Sequence, residues 1–209
     1  MIYKSPLFEV PVYRMKASRH ADVKEWMIEN VYPDFEKNGP NEVTRNLYSS
    51  YFSGAPKIDN ELFTEFYYKD IIKFLNKIGL SKNNGWETKL NFWYNLSTKG
   101  AHQEVHDHLG GPIPISYAAI HYVLFDKNEH TSAVFYHPLT QILKCTQPTT
   151  SDQIKLPDYK EFQKLLDVEE GDLIIFPSYV LHSVMTQLSE KLRITTAFNI
   201  CIYDKNCHE

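Results

Sequence analysis

Over the first 85 positions, apolar residues recur at helical spacing. Val23, Trp26 and Met27 mark one face of a predicted helix over 22–29, and Phe63, Phe66, Ile71, Ile72, Phe74 and Leu75 mark a second over 61–78. A short strand is expected ahead of the first helix, and Gly79 is placed to stop the second. Between them, residues 44–56 are rich in Tyr, Ser and Gly and read as an irregular segment with no assigned role.

From Trp86 the period changes. Short, bulky runs at 87–96, 115–125, 133–136, 141–145, 172–176, 180–185 and 192–203 are separated by turn residues, which predicts strands, with a short helix around 159–166 interrupting them. Helices first and strands later, without alternation between them, point to an antiparallel architecture with helices packed on one side. The expected fold is mainly β with flanking N-terminal helices, a double-stranded β-helix or jelly-roll (cupin-like) barrel. The chain is expected to be a single domain over 1–209, with 1–85 mainly helical and 86–203 forming the β-helix.

Composition narrows the function classes. Net charge is −4 with no block of Lys and Arg, so general nucleic-acid binding is not expected. The cysteines Cys145, Cys201 and Cys207 are odd in number and unpaired in spacing, which suggests neither a disulfide framework nor a zinc ribbon and fits a reducing cytoplasm. No run of about 18 apolar residues occurs and the first residues lack an apolar core, so neither a membrane span nor a signal peptide is expected.

Candidate chemistry lies in His102-Gln103-Glu104-Val105-His106-Asp107-His108. Side chains two apart on an extended strand share a face, so His106 and His108 can approach one metal while Asp107 points away. His182 follows a Pro177-Ser178 turn much later in the chain. Two ligands from one strand end and one from a distant strand cap one face of an octahedron and leave the other open. In a chain with nine histidines a close pair also arises by chance, so the pair alone decides little. Arg193 adds weight, because it opens the alternating run Arg193-Ile194-Thr195-Thr196-Ala197-Phe198-Asn199. Parity puts Arg193, Thr195, Ala197 and Asn199 on one face, where a guanidinium and a hydroxyl together suit a carboxylate. Alone, Arg193 would read as an ordinary surface arginine.

Taken in order, these residues resemble the 2-oxoglutarate/Fe(II) dioxygenase superfamily. More narrowly, they resemble its prolyl-hydroxylase-like branch of bacteria and phages. The resemblance rests on Trp93-Tyr94-Asn95, His106-Asp107-His108, Gly171 through Ser178 with His182, and Arg193 through Asn199, and covers roughly 86–203. It implies Fe(II) held by His106, His108 and His182, with 2-oxoglutarate as co-substrate held by Arg193 and Thr195. Asn95 and Tyr117 are further candidates for the co-substrate pocket. It also implies O₂ as a reactant and hydroxylation of a small-molecule or peptide substrate. His108 stands where the superfamily has a carboxylate, and a second register using His102 and Glu104 would restore one. A three-histidine dioxygenase of the cupin type that does not use 2-oxoglutarate, and a non-catalytic barrel module, are the alternatives.

Overall fold

The computed structural model describes residues 10–80, 85–110, 114–137 and 163–204. In chain order the elements are β1 (Tyr13–Lys16), α1 (His20–Asn30), α2 (Tyr32–Asn38), β2 (Leu47–Ser49), α3 (Asn60–Lys77), β3 (Trp86–Ser97), β4 (Gln103–His106), β5 (Tyr117–Leu124), β6 (Ala133–Tyr136), β7 (Gln163–Leu165), β8 (Asp172–Pro177), β9 (His182–Val184) and β10 (Arg193–Asp204). Two antiparallel sheets result, a six-stranded one in the order β1-β8-β5-β10-β3-β2 and a four-stranded one in the order β4-β9-β6-β7. The architecture is the jelly roll expected from the strand pattern, with two sheets that do not close into a continuous barrel.

The long strand β10 is the axis of the larger sheet. It pairs with β3 along its full length, from Arg193 opposite Ser97 to Asp204 opposite Trp86, and with β5 on its other edge. Because strand side chains alternate, each of these strands serves two cores. Phe92, Tyr94, Leu96, Ala119, Val123, Ile194, Phe198 and Ile200 join Met27, Phe63, Tyr67 and Phe74 from the helices in one buried cluster. Ala118, Tyr122, Ile174 and Phe176 pack from the opposite face with Phe135 of the smaller sheet. The helices therefore cover one face of the large sheet, and the small sheet faces the other.

Local chemistry sets the helix limits. The carboxylate of Asp59 accepts from the backbone N–H groups of Glu61 and Leu62, capping α3. Its other end closes at Gly79, whose φ of 84° suits only a residue without Cβ, and Leu80 N–H returns to the carbonyl of Leu75. Pro33 in the first turn of α2 starts a helix that the apolar spacing did not reveal, since none of its residues is fully buried. Two further expectations change. Residues 47–49, within the segment read as irregular, form β2 on the edge of the large sheet, because Tyr48 is completely buried and pairs with Leu96. Of the helix expected around 159–166, the described part is strand β7, where pairing with β6 outweighs local propensity; the remainder, like the strand expected at 141–145, lies outside the described residues. Among the described residues no helix is long and apolar enough to cross a membrane.

A polar chain threads the helix-facing core. His20 Nδ1 lies 3.0 Å from His121 Nε2, His121 Nδ1 is 2.6 Å from the Tyr67 hydroxyl, and that hydroxyl is 2.5 Å from Thr196 Oγ1. Burial holds His121 down at about 3, against an ordinary 6.5, and lowers His20 as well. The unfolded chain thus takes up protons that the folded one refuses, so stability falls as pH drops below about 6.5 toward 3. Urea unfolding followed across this window should show that decline, and His121→Leu should flatten it; identical slopes for both proteins would contradict the assignment.

Candidate metal centre

The histidines that the chain spacing singled out converge. His106 ends β4, and its cross-strand partner is His182 at the start of β9, after a register shift between Gln103 and His106. His108 lies beyond the strand and is tied to the turn before β9 by its N–H donating to the Ser178 carbonyl at 2.9 Å. One nitrogen from each of His106, His108 and His182 lies within 4.8 Å of the other two, and the Nε2 atoms of His108 and His182 are 3.3 Å apart.

The outer nitrogens set the chemistry of the inner ones. His106 Nδ1–H donates to the Glu104 carbonyl at 2.8 Å, His182 Nδ1–H to the Val180 carbonyl at 3.0 Å, and His108 Nδ1–H to Asn199 Oδ1 at 2.6 Å. With Nδ1 engaged by an acceptor in each ring, the nitrogen left for a ligand is Nε2, and those of His108 and His182 lie 3.3 Å apart. That arrangement repels itself unless a cation sits at the convergence point, and neutral imidazoles are suitable ligands for a divalent transition metal. Burial, joined by the neighbouring His106, holds His182 at about 3, so it stays neutral at ordinary pH, and burial also lowers His108. The ring of Trp93 stacks on His108 at 5.7 Å and fixes its plane.

Glu104 is elsewhere. Its carboxylate is forked by Arg45, with Nε at 2.5 Å and Nη2 at 2.6 Å, which pulls it down to about 2. The side chain is exposed, and His102 leans toward the Gly100 carbonyl instead. The register through His102 and Glu104 thus does not assemble. Asp107 stays exposed at the mouth, where its Oδ1 accepts from Leu109 N–H at 3.0 Å.

A narrow cleft beside the triad is lined by Asn95, His106, His108, His182, Arg193 and Thr195. Arg193, 3% exposed, carries a buried Nε–H without a partner and forms no ion pair with any described residue. Burial lowers its pKa, and the groups near its charge are the rings of Tyr122 at 5.6 Å and Phe125 at 5.9 Å. A buried guanidinium without an anion is costly by itself and favours a ligand that brings one. Asn95 pairs with Thr195 across β3 and β10, and both face this cleft.

Tyr117 does not join them. It lies on the helix-facing side of β5, edge-on to Phe74 at 4.9 Å, because its odd position has the opposite parity to Ala118, Ile120 and Tyr122. Tyr122 is the β5 tyrosine on the correct face. Sequence reasoning missed it because the run is apolar on both faces; pairing with the parity of β10 was the signal that could have found it. Trp93 and Asn199, which fix His108, were quoted as motif residues but given no role.

A family model described as "Putative 2OG-Fe(II) oxygenase" matches residues 91–199, more than half of the chain. The chain belongs to this family. It is an enzyme, an oxygenase whose cofactor is Fe(II) and whose co-substrate is 2-oxoglutarate. No curated protein matches the oxygenase in sequence. Its fold is similar to that of a prolyl-4-hydroxylase from Pseudomonas putida, with 13% identity, a TM-score of 0.56 and 92% of each chain covered. It is similar also to the viral collagen prolyl hydroxylase of Paramecium Bursaria Chlorella virus-1 in its 2-oxoglutarate complex, at 10% identity and a TM-score of 0.54, covering 91% of the oxygenase and 94% of that chain. HygX from Streptomyces hygroscopicus, with nickel, 2-oxoglutarate and hygromycin B bound, shares 14% identity at a TM-score of 0.55, over 92% of the oxygenase and 83% of HygX. At such identities the likeness shows a common fold.

Removal of a converging imidazole should abolish tight metal binding, whereas Glu104→Gln should leave it intact. Asn199→Leu, which frees His108 to rotate, is expected to weaken binding about 10- to 100-fold. Anaerobic Fe(II) titration of the variants checks all of these, and loss of iron in Glu104→Gln would restore the discarded register.

Proposed function

We propose that His106, His108 and His182 hold Fe(II) through Nε2, that Arg193 and Thr195 hold the distal carboxylate of 2-oxoglutarate, and that the enzyme hydroxylates a peptidyl or free amino acid. The carrying observation is the juxtaposition of three converging imidazole nitrogens and one buried, unpaired guanidinium along a single cleft. A divalent ion supplies the missing charge at one end and a dicarboxylate at the other.

Each residue has a definable task. Arg193 presents a planar, permanently charged fork, and Thr195 adds a hydroxyl from the same face of β10. Asn95, opposite Thr195, supplies a further polar contact to the co-substrate. Tyr122 and Phe125 hold the guanidinium over their rings, which keeps it aimed without neutralising it. Phe135 and Phe176 pack around His182 at 6.0 Å and 4.8 Å and exclude water from its side of the centre. Bound Fe(II) and 2-oxoglutarate together supply O₂ activation, with oxidative decarboxylation to succinate and CO₂ and transfer of one oxygen atom to a substrate C–H bond. An amino-acid substrate is supported by the names of two proteins of similar fold, both prolyl hydroxylases. A three-histidine dioxygenase that ignores 2-oxoglutarate, or a barrel without catalysis, would leave Arg193 buried with no task.

Arg193→Leu should weaken 2-oxoglutarate binding to the iron-loaded protein about 100-fold while metal content stays the same. Arg193→Lys should recover part of the loss, since the charge returns without the fork. Anaerobic calorimetry with 2-oxoglutarate, paired with a succinate assay, reads both; undiminished affinity in Arg193→Leu contradicts the proposal.

A further inference from the structure

Beside His106 and His108 lies a second cavity, of about 400 Å³, whose lining includes neither His182 nor Arg193. It is large enough for a small ligand or one amino-acid residue. Its wall carries the rings of Tyr51, Phe52 and Trp93. Tyr51 meets Trp93 at 5.7 Å and Phe52 at 5.4 Å, edge to face in both cases, and is 65% exposed, so the cluster remains open to a ligand. Two of these rings come from the segment to which chain periodicity assigned no role.

Charge on this wall is one-sided. Among the described residues no lysine or arginine lines the cavity, and Asp107 is its one carboxylate. Asp107 makes no ion pair with a described residue; its Oδ1 takes the Leu109 N–H. The nearby Arg45, 5.5 Å over the Phe52 ring, does not line the cavity, and its charge is engaged by Glu104 and Glu42. Aromatic faces beside a carboxylate without a cationic partner attract a cation and repel an anion, and a substrate bearing phosphate or carboxylate would find no positive side chain among the described residues of this wall. We infer that this cavity binds a substrate carrying an ammonium or guanidinium group, a basic amino-acid side chain, with its charge set against Asp107 and the Tyr51 cluster. The inference rests on the oxygenase site proposed above and specifies the substrate that site takes.

The test is calorimetric titration of the full-length, Co(II)-loaded protein, with and without 2-oxoglutarate. The probes are lysine, arginine, norleucine and glutamate, each acetylated at its amino end and methylamidated at its carboxyl end. The lysine and arginine probes should bind at least about 10-fold more tightly than norleucine, with glutamate weakest. Asp107→Asn should reduce that preference to within about threefold, and Tyr51→Ala should weaken the cationic probes. Norleucine binding as tightly as lysine overturns the inference, as does a preference that survives Asp107→Asn. Loss of cobalt in Asp107→Asn also overturns it, by assigning Asp107 to the metal. If the wild-type protein fails to bind 2-oxoglutarate, the co-substrate assignment falls separately, because the preference is then read from lysine against norleucine, neither of which has a carboxylate to ligate cobalt, and from its loss in Asp107→Asn.

Discussion

The two-residue alternation of β10 is the constraint on which the rest of the structure depends. Ile194, Phe198 and Ile200 point into the helix-facing core, while Arg193, Thr195 and Ala197 line the cleft and Asn199 reaches His108. Pairing with β3 on one edge and β5 on the other locks that parity, and a slip of one residue would exchange the two faces. The site is therefore as rigid as the sheet. Burial of the aromatic cluster around Phe198 is also what keeps Arg193 aimed at the cleft.

Electrostatics gives the centre its ligand preference. Three imidazoles ligating Fe(II) would leave the full charge of the divalent ion uncompensated, and Arg193 adds another positive charge with no acid among the described residues to balance it. Glu104, the carboxylate that could have offset this, is held by Arg45 on the surface. A dianionic co-substrate is the natural counter-charge to both ends of the cleft. Substrate then meets a mouth whose one carboxylate, among the described residues, belongs to Asp107.

Much of this was legible along the chain, because parity and apolar spacing are local properties. The helices α1 and α3, the strands around the site and the shared approach of His106 and His108 follow from periods that a single segment carries, whereas His182 was joined to that pair by the ordered motifs of the family resemblance. Contacts between distant segments were less accessible. Tyr117 was named and Tyr122 overlooked because β5 is apolar on both faces, so only its pairing with β10 and β8 tells one side from the other. The part that Tyr51 and Phe52 play at the cavity was hidden for a similar reason: their segment has no period, and an edge strand of three residues, β2, brings it to the site. The position of Glu104 likewise depends on a distant partner, Arg45, 59 residues away in sequence from the carboxylate it takes.

The most direct measurement is a crystal structure of the anaerobic Fe(II) complex with 2-oxoglutarate. It should show iron on the Nε2 atoms of His106, His108 and His182, the distal carboxylate on Arg193 and Thr195, and Glu104 still paired with Arg45. Iron ligated by Glu104, or a co-substrate carboxylate bound away from Arg193, would contradict the account.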